Sequence, residues 1–172
     1  MDQSLRDAAE QGSIDALYAL IRRDANVLEK INEIQFVETP LHIAASAGHT
    51  MFAMEIMRLK PSFARKLNQD GFTPIHLVLQ NNKTRLVYQL VAVDKDLVRV
   101  QRREGVTPLH YVAQIGNLDP LAEFLVSSPM SIKDVTIQRE TALHIALNNK
   151  HLHAFELLIR WLHWITIKDA SF

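Results

Sequence analysis

The 172-residue sequence has no cysteine, only five glycines and no long uninterrupted hydrophobic run. Without cysteine it forms no disulfide, thiolate metal site or cysteine nucleophile, which is compatible with a reducing compartment and favours the cytosolic side of a membrane. Nineteen basic residues balance nineteen acidic residues, so no net field attracts nucleic acid. The most apolar stretch, 157–167, is interrupted by Arg160 and His163 and is shorter than the ~20 residues that span a bilayer. The sequence therefore predicts a chain that neither crosses a membrane nor binds nucleic acid.

The sequence also lacks the signatures of catalysis. It contains no phosphate-binding loop, dinucleotide-binding fingerprint, HExxH helix or nucleophile elbow. Asp94 and Asp96 are the nearest approach to a carboxylate pair, but they follow an apolar helical stretch, where a solvated turn is expected. We therefore predict no catalytic residue, no cofactor and no enzymatic activity.

What the sequence does contain is a repeat. Four similar tetrapeptides begin at intervals of 34 residues: TPLH at 39–42, TPIH at 73–76, TPLH at 107–110 and TALH at 141–144. A spacing near 33 is typical of ankyrin units, whereas 34 is that of tetratricopeptide units. The TPLH motif followed by small residues is the ankyrin pattern, and the Trp, Gly and Tyr pattern of tetratricopeptide units is missing. The sequence therefore resembles an ankyrin-repeat array.

Each position of the motif has a physical role in starting or ending a helix. The threonine hydroxyl can cap the first helix of a unit, and proline presets the backbone of its first turn. Alanines such as Ala44 and Ala45 let neighbouring helices approach closely. Gly48 and Gly116 fall where the first helix ends, at a left-handed position that suits glycine. A second helix is predicted to follow, with its core face at Phe52, Ile56 and Leu59, at Leu86, Leu90 and Val93, and at Leu121, Phe124 and Leu125.

The predicted fold is an all-α ankyrin-repeat solenoid of about five helix-turn-helix units with projecting turns or short β-hairpins. We expect a single ankyrin-repeat domain over residues 1–172. Its first unit is a degenerate cap, in which Arg6, Asp7 and Glu10 replace inward-facing residues. The apolar end near Trp161 and Trp164 indicates an array cut short, with self-association through that end. The units cover approximately 1–35, 37–66, 71–100, 105–134 and 139–168.

Eight histidines raise the question of a metal site. Four of them end the four tetrapeptides, so we expect their imidazoles to hydrogen-bond the capping threonine or nearby backbone and to tie unit to unit. His151 and His153 are two residues apart and would lie on different sides of a helix, which does not suit a shared ion. The sequence therefore predicts no metal site.

Four positions lack the glycine that the unit favours. Val37 and Arg139 stand in turns, and Asn82 and Lys150 follow first helices. Asparagine tolerates a positive φ, but Val37 and Lys150 are less suited to it. Either those turns adopt another geometry or they retain strain.

The surface typical of this fold consists of turn tips and the exposed ends of the first helices. Phe36, Phe72, Val106 and Ile115 are apolar residues at such positions, so they either face a partner as hot spots or fold back onto the turns. The candidate partner-binding residues are Gln35, Phe36, Glu38, Ser46, Gln69, Asp70, Phe72, Gln80, Asn81, Arg103, Glu104, Val106, Gln114, Ile115, Gln138, Arg139, Glu140, Asn148 and Asn149.

The stretch SIKDVTIQRETALHIA at 131–146, with the apolar residues 157–162, resembles a plant subfamily of ankyrin proteins. In that subfamily the repeats precede a C-terminal membrane domain named for its Pro-Gly-Gly motif, and members act in innate immune signalling and cell-death control. The resemblance implies the cytosolic module of a membrane-anchored defence regulator, which binds a protein whose identity it does not name. One alternative is a regulatory module that packs on its own membrane domain, and a more distant one is an enzyme.

Overall fold

The computed structural model describes residues 1–171 and divides into two compact units, Met1–Leu90 and Val91–Phe172. The described residues form α-helices and short 3-10 turns, and their only strand-like pairing is a single parallel bridge between Phe36 and Leu67. The predicted all-α fold is confirmed. Of the two forms predicted for the connections, projecting turns or short β-hairpins, these residues adopt turns, because isolated backbone hydrogen bonds close them and no ladder of strands forms.

In the first unit, two rows of helices pack side by side. The helices are α1 (Gln3–Gln11), α2 (Ile14–Arg23), α3 (Val27–Asn32), α4 (Pro40–Ala47), α5 (Thr50–Leu59), α6 (Pro74–Gln80) and α7 (Thr84–Val93), which begins in this unit. The first helices α1, α4 and α6 form one row, in which α4 lies against both others, and α2 packs against α5. A 3-10 turn at Pro61–Arg65 follows α5 and contacts α6.

The second unit repeats this arrangement. Its first helices, α8 (Pro108–Ile115) and α10 (Ala142–Asn148), pack against each other, and so do its second helices, α9 (Leu118–Ser127) and α11 (Leu152–Ala170). The connecting 3-10 turns are Lys95–Arg99, Arg103–Gly105 and Pro129–Lys133.

Local chemistry at the helix ends follows the motif. The hydroxyls of Thr39 and Thr107 accept hydrogen bonds from the third helical N–H of α4 and α8, and proline occupies the first turn of both helices. Gly48 and Gly116 end these helices with φ of 78° and 69°. The predicted threonine caps and left-handed glycine ends are therefore confirmed in both helices.

Small residues hold the helices of the first unit close together. Ala44 and Ala45 on α4 have no exposed surface, and the equivalent alanines of α1 are also buried. Phe52 is fully buried, as predicted, but Val93 is 61% exposed, so its placement in the core is wrong. Val93 is the last residue of α7, and Leu97 in the 3-10 turn after it is fully buried instead.

The degenerate first repeat differs from the others after its second helix. The second helix α5 ends at Leu59, fourteen residues before Thr73, whereas α2 ends at Arg23, sixteen residues before Thr39. The longer connection contains the short helix α3, where the next repeat has a five-residue 3-10 turn. The two extra residues of the first repeat are therefore accommodated in this connection.

The last helix, α11, is 19 residues long, whereas α9 has 10. Trp164 and Ile167 on its final turns are about half exposed, but Ile165 is buried and Trp161 is half-buried. The predicted apolar end is therefore only partly exposed. Among residues 1–171, no helix combines the length and apolar character needed to cross a membrane.

Candidate functional site

The buried side chain of His42 holds the turn that ends at Phe72 in the first unit. The backbone N–H of Thr39 donates to His42 Nδ1 over 3.1 Å, so Nδ1 is an acceptor and the neutral ring carries its proton on Nε2. That proton points to the backbone carbonyl of Phe72, 3.0 Å away in the next repeat. Burial lowers the pKa of His42 to about 4, so the ring is neutral near pH 7. The predicted role of this histidine in tying one repeat to the next is confirmed.

His110 makes the same pair of hydrogen bonds in the second unit. Thr107 N–H donates to His110 Nδ1 over 3.0 Å, and His110 Nε2 lies 3.0 Å from the carbonyl oxygen of Asp134. Burial lowers the pKa of His110 as well. His144 makes the threonine contact in α10, where Thr141 N–H lies 3.1 Å from its Nδ1. His42 and His110 are therefore structural anchors for turns that carry candidate residues.

The turn at 68–72 is held from inside by a buried asparagine. Asn68 is only 4% exposed, and its Oδ1 accepts hydrogen bonds from the backbone N–H groups of Asp70 (3.1 Å) and Phe72 (2.9 Å). Its own N–H donates to the Phe72 carbonyl over 2.9 Å. These bonds present Gln69 and Asp70 at the tip, where both are exposed.

Two such turns lie next to each other in the second unit. Arg102 N–H donates to Val106 O over 3.0 Å, and Thr136 N–H donates to Glu140 O over 3.0 Å, which closes each turn. Ile137 N–H then donates to Glu104 O over 3.0 Å and joins one turn to the other. Backbone bonding therefore sets the spacing of the candidate side chains here.

The four positions that lack the glycine favoured by the repeat adopt two kinds of backbone conformation. Asn82, Arg139 and Lys150 adopt the left-handed backbone with φ of 54°, 63° and 61°, so Arg139 and Lys150 retain strain, whereas asparagine tolerates this conformation. Val37 does not, because its turn has another geometry: its side chain is buried and its N–H donates to Leu67 O over 3.1 Å. Glu104 also has a positive φ, of 70°, which the sequence pattern did not indicate.

The predicted contact residues all have solvent access. In the first unit Phe36 is 51% exposed, and in the second Ile115 is 41% exposed, so both face solvent. Phe72 and Val106 are half-buried. Glu38, Ser46 and Glu140 are also half-buried, and the remaining predicted residues are exposed.

Seven of the predicted residues line one groove in the second unit. This groove has a volume of about 190 Å³ and lies between the turns 102–106 and 136–140 and the ends of α8 and α10. The described lining does not include Arg103, Ile115 or Arg139. The seven residues that the groove brings together are Glu104, Val106, Gln114, Gln138, Glu140, Asn148 and Asn149.

Sequence reasoning missed Arg102, Thr136, Ile137 and Ile145 in this lining. Ile137 is the most telling, because its side chain is 73% exposed. It stands 34 residues after Arg103, a predicted turn-tip residue, so strict use of the repeat spacing would have found it.

Other depressions and clusters do not add to the site. A depression of about 360 Å³ in the first unit is lined by residues of the 48–50 and 82–86 segments, none of which is a predicted contact residue. Within residues 1–171, no group of three or more histidine, aspartate or glutamate side chains is placed to hold a metal ion. The groove of the second unit is therefore the feature with which the sequence predictions agree best.

Comparison with known proteins agrees with the fold. A family model described as "Ankyrin repeats (3 copies)" matches residues 5–99 and 75–169, which together cover most of the chain. The chain is also similar to ankyrin repeat-containing protein BDA1 of Arabidopsis thaliana, with 47% identity over 73 residues. The matched segment is 42% of this chain and 17% of that protein, well below two thirds of its length.

Ankyrin repeats are protein-protein interaction modules, and the proteins built from them are typically scaffolds without catalytic activity. The 34-residue motif, the capped helix pairs in both units and the family match lead to the same assignment. This chain belongs to the ankyrin-repeat family.

Proposed function

We propose that the chain is the partner-binding module of a plant signalling protein and holds a protein partner non-covalently at its turn tips and first-helix ends. The observation that carries this proposal is the groove of the second unit, where seven residues nominated from repeat register line one surface. Their convergence supports a common binding role.

The rigidity of this surface supports binding. Thr136 is buried, and its hydroxyl accepts a hydrogen bond from Glu140 N–H over 3.3 Å. His110 anchors the Asp134 carbonyl two residues earlier. Such turns lose little conformational entropy when a partner docks, which favours affinity.

The size and composition of the groove favour a protein over a metabolite. A volume of about 190 Å³ is below the ~300–1,000 Å³ of typical small-molecule sites. The lining combines apolar Val106 and Ile137 with carboxamides and both signs of charge, a mixture found at protein interfaces. The groove is therefore suited to part of a larger partner.

The proposed biological setting is innate immune signalling in a plant, with the module on the cytosolic face of a membrane and a further domain providing the anchor. Two likenesses support it: the resemblance of 131–146 to a plant subfamily, and the 47% identity over 73 residues with an Arabidopsis protein. The name of that protein states only that it contains ankyrin repeats. The alternative is that the repeats pack against the chain's own membrane domain, and it predicts a different product in the crosslinking experiment described next.

Site-specific photocrosslinking tests the proposal. The full-length protein would be expressed in plant cells with Ile137→p-benzoylphenylalanine, and Glu156→p-benzoylphenylalanine would be the matched control. Both positions are exposed, but Glu156 lies on α11 and outside the groove. We expect an adduct with a second polypeptide from position 137 and not from position 156, with the polypeptide identified by mass spectrometry. An exclusively intramolecular adduct would favour the gating alternative, and equal yields from both positions would contradict the proposal.

A further inference from the structure

The groove of the second unit carries two carboxylates without a cationic partner. Among residues 1–171, the Glu104 carboxylate makes no hydrogen bond or ion pair, and the Glu140 carboxylate accepts only the Asn148 side-chain N–H, over 3.2 Å. Arg102 also lines the groove and is half-buried, so the lining has one net negative charge. The lining therefore favours a single cationic group on the partner.

Apolar side chains lie in the same lining. Ile137 is 73% exposed, and Val106 and Ile145 are half-buried. An isoleucine so exposed at the tip of a projecting turn gains stability when another apolar side chain covers it. The volume of about 190 Å³ suits one such side chain and not a whole small-molecule ligand.

Carboxamides supply the remaining lining. Among the described residues, the side chains of Gln114 and Gln138 have no hydrogen-bond partner. The side-chain N–H of Asn149 donates to Ile145 O over 2.8 Å, which leaves its side-chain oxygen available. Each glutamine side chain offers donors and an acceptor, and an extended peptide backbone presents the complementary groups at every residue. These side chains are therefore suited to bonding a peptide main chain.

We propose that the groove binds an extended peptide segment of the partner, in which an apolar side chain lies against Val106, Ile137 and Ile145 and an adjacent Lys or Arg pairs with Glu104 and Glu140. The carboxamides bond the main chain of the segment. Arg103 and Arg139, at exposed positions of the same turns, disfavour further cations in the segment. This inference rests on the proposed function and specifies the partner's recognition element.

A random library of short peptides, displayed on phage and selected on the folded chain, tests the inference. We expect enriched sequences to contain an apolar residue next to a single Lys or Arg. A synthetic copy of the most enriched peptide would then be titrated by fluorescence anisotropy. We expect its affinity to fall about tenfold when Ile137→Ser removes the apolar contact. Glu104→Gln combined with Glu140→Gln gives a similar loss, and added salt weakens binding to the wild type more than to this double variant.

The matched control is Glu123→Gln, an exposed charge on α9 outside the groove, which leaves affinity unchanged. The replaced groove residues are exposed or half-buried, so the variants fold, as circular dichroism would verify. Enrichment of acidic peptides, no enrichment, or equal binding by wild type and groove variants would overturn the inference. A crosslink from position 137 to a second polypeptide would then still support the proposed function, because a folded surface can dock without an extended peptide.

Discussion

His42 makes the stability of this protein depend on pH. Burial lowers its pKa to about 4 from the 6.5 of an exposed histidine, against the opposing effects of the Phe72 carbonyl and Glu38. Between these pH values the unfolded chain binds a proton that the folded chain does not, so the free energy of unfolding falls as the pH drops from 6.5 towards 4. The difference in pKa lowers the free energy of unfolding by about 3 kcal/mol below pH 4 and by about 2 kcal/mol at pH 5.

The structure supplies the physical reason for this cost. The Nδ1 atom of His42 accepts from Thr39 N–H and lies 2.8 Å from Thr39 Oγ1. Protonation of Nδ1 would remove that acceptor and place a charge in a fully buried ring. Folding therefore selects the neutral form.

Urea denaturation at pH 7 and pH 5, followed by circular dichroism, measures the effect. In His42→Asn the titrating ring is absent, so we expect the loss of unfolding free energy between the two pH values to be about 2 kcal/mol smaller than in the wild type. His153→Asn, at a side chain 86% exposed, is the control and retains the wild-type loss. Equal losses in wild type and His42→Asn would refute this reasoning.

Three further changes test individual contacts by urea denaturation. Asn68→Ala removes the acceptor for the N–H groups of Asp70 and Phe72, so we expect the free energy of unfolding to fall by about 1–3 kcal/mol and amide exchange at both residues to become faster. Unchanged exchange would contradict this role of Asn68. Lys150→Gly relieves a left-handed backbone and adds about 1 kcal/mol, an expectation that fails if Lys150→Ala adds as much. Phe52→Ala empties a fully buried site and costs about 3–5 kcal/mol, and a loss below about 1 kcal/mol would show that Phe52 is not in the core.

The fold could be predicted because its determinants are local and recur. The threonine hydroxyl of the motif caps the helix three residues ahead, and Gly48 ends that helix four residues after Ala44. Every such contact lies within one repeat, so the sequence pattern contains it. The threonine caps and the glycine ends of α4 and α8 are accordingly predicted correctly.

The sequence was less informative where contacts run between repeats or where a helix ends early. For Val37 the sequence allows either another turn geometry or strain, and the structure shows another geometry, because its N–H bonds Leu67 thirty positions away, which no local pattern shows. Val93 was assigned to the core by helical spacing, although α7 ends there. Ile137 is absent from the predicted residues, although it lies 34 residues after the predicted tip residue Arg103.

The candidate site itself was predictable only in part. Register places residues at turn tips and helix ends, and in the second unit most of these line the groove. Register does not show which carboxylates lack cations, because that depends on side-chain pairing such as the bond between Asn148 and Glu140. The chemistry of the partner therefore emerges only from the folded structure.

The central claim is that the chain holds a protein partner at the groove, and one affinity measurement tests it most directly. The partner is the polypeptide that crosslinks at position 137. Isothermal titration calorimetry would measure its affinity for three chains: the wild type, Ile137→Ser and Glu156→Gln. The account predicts that Ile137→Ser weakens binding about tenfold while Glu156→Gln binds as the wild type does. Equal affinity for all three chains would contradict it.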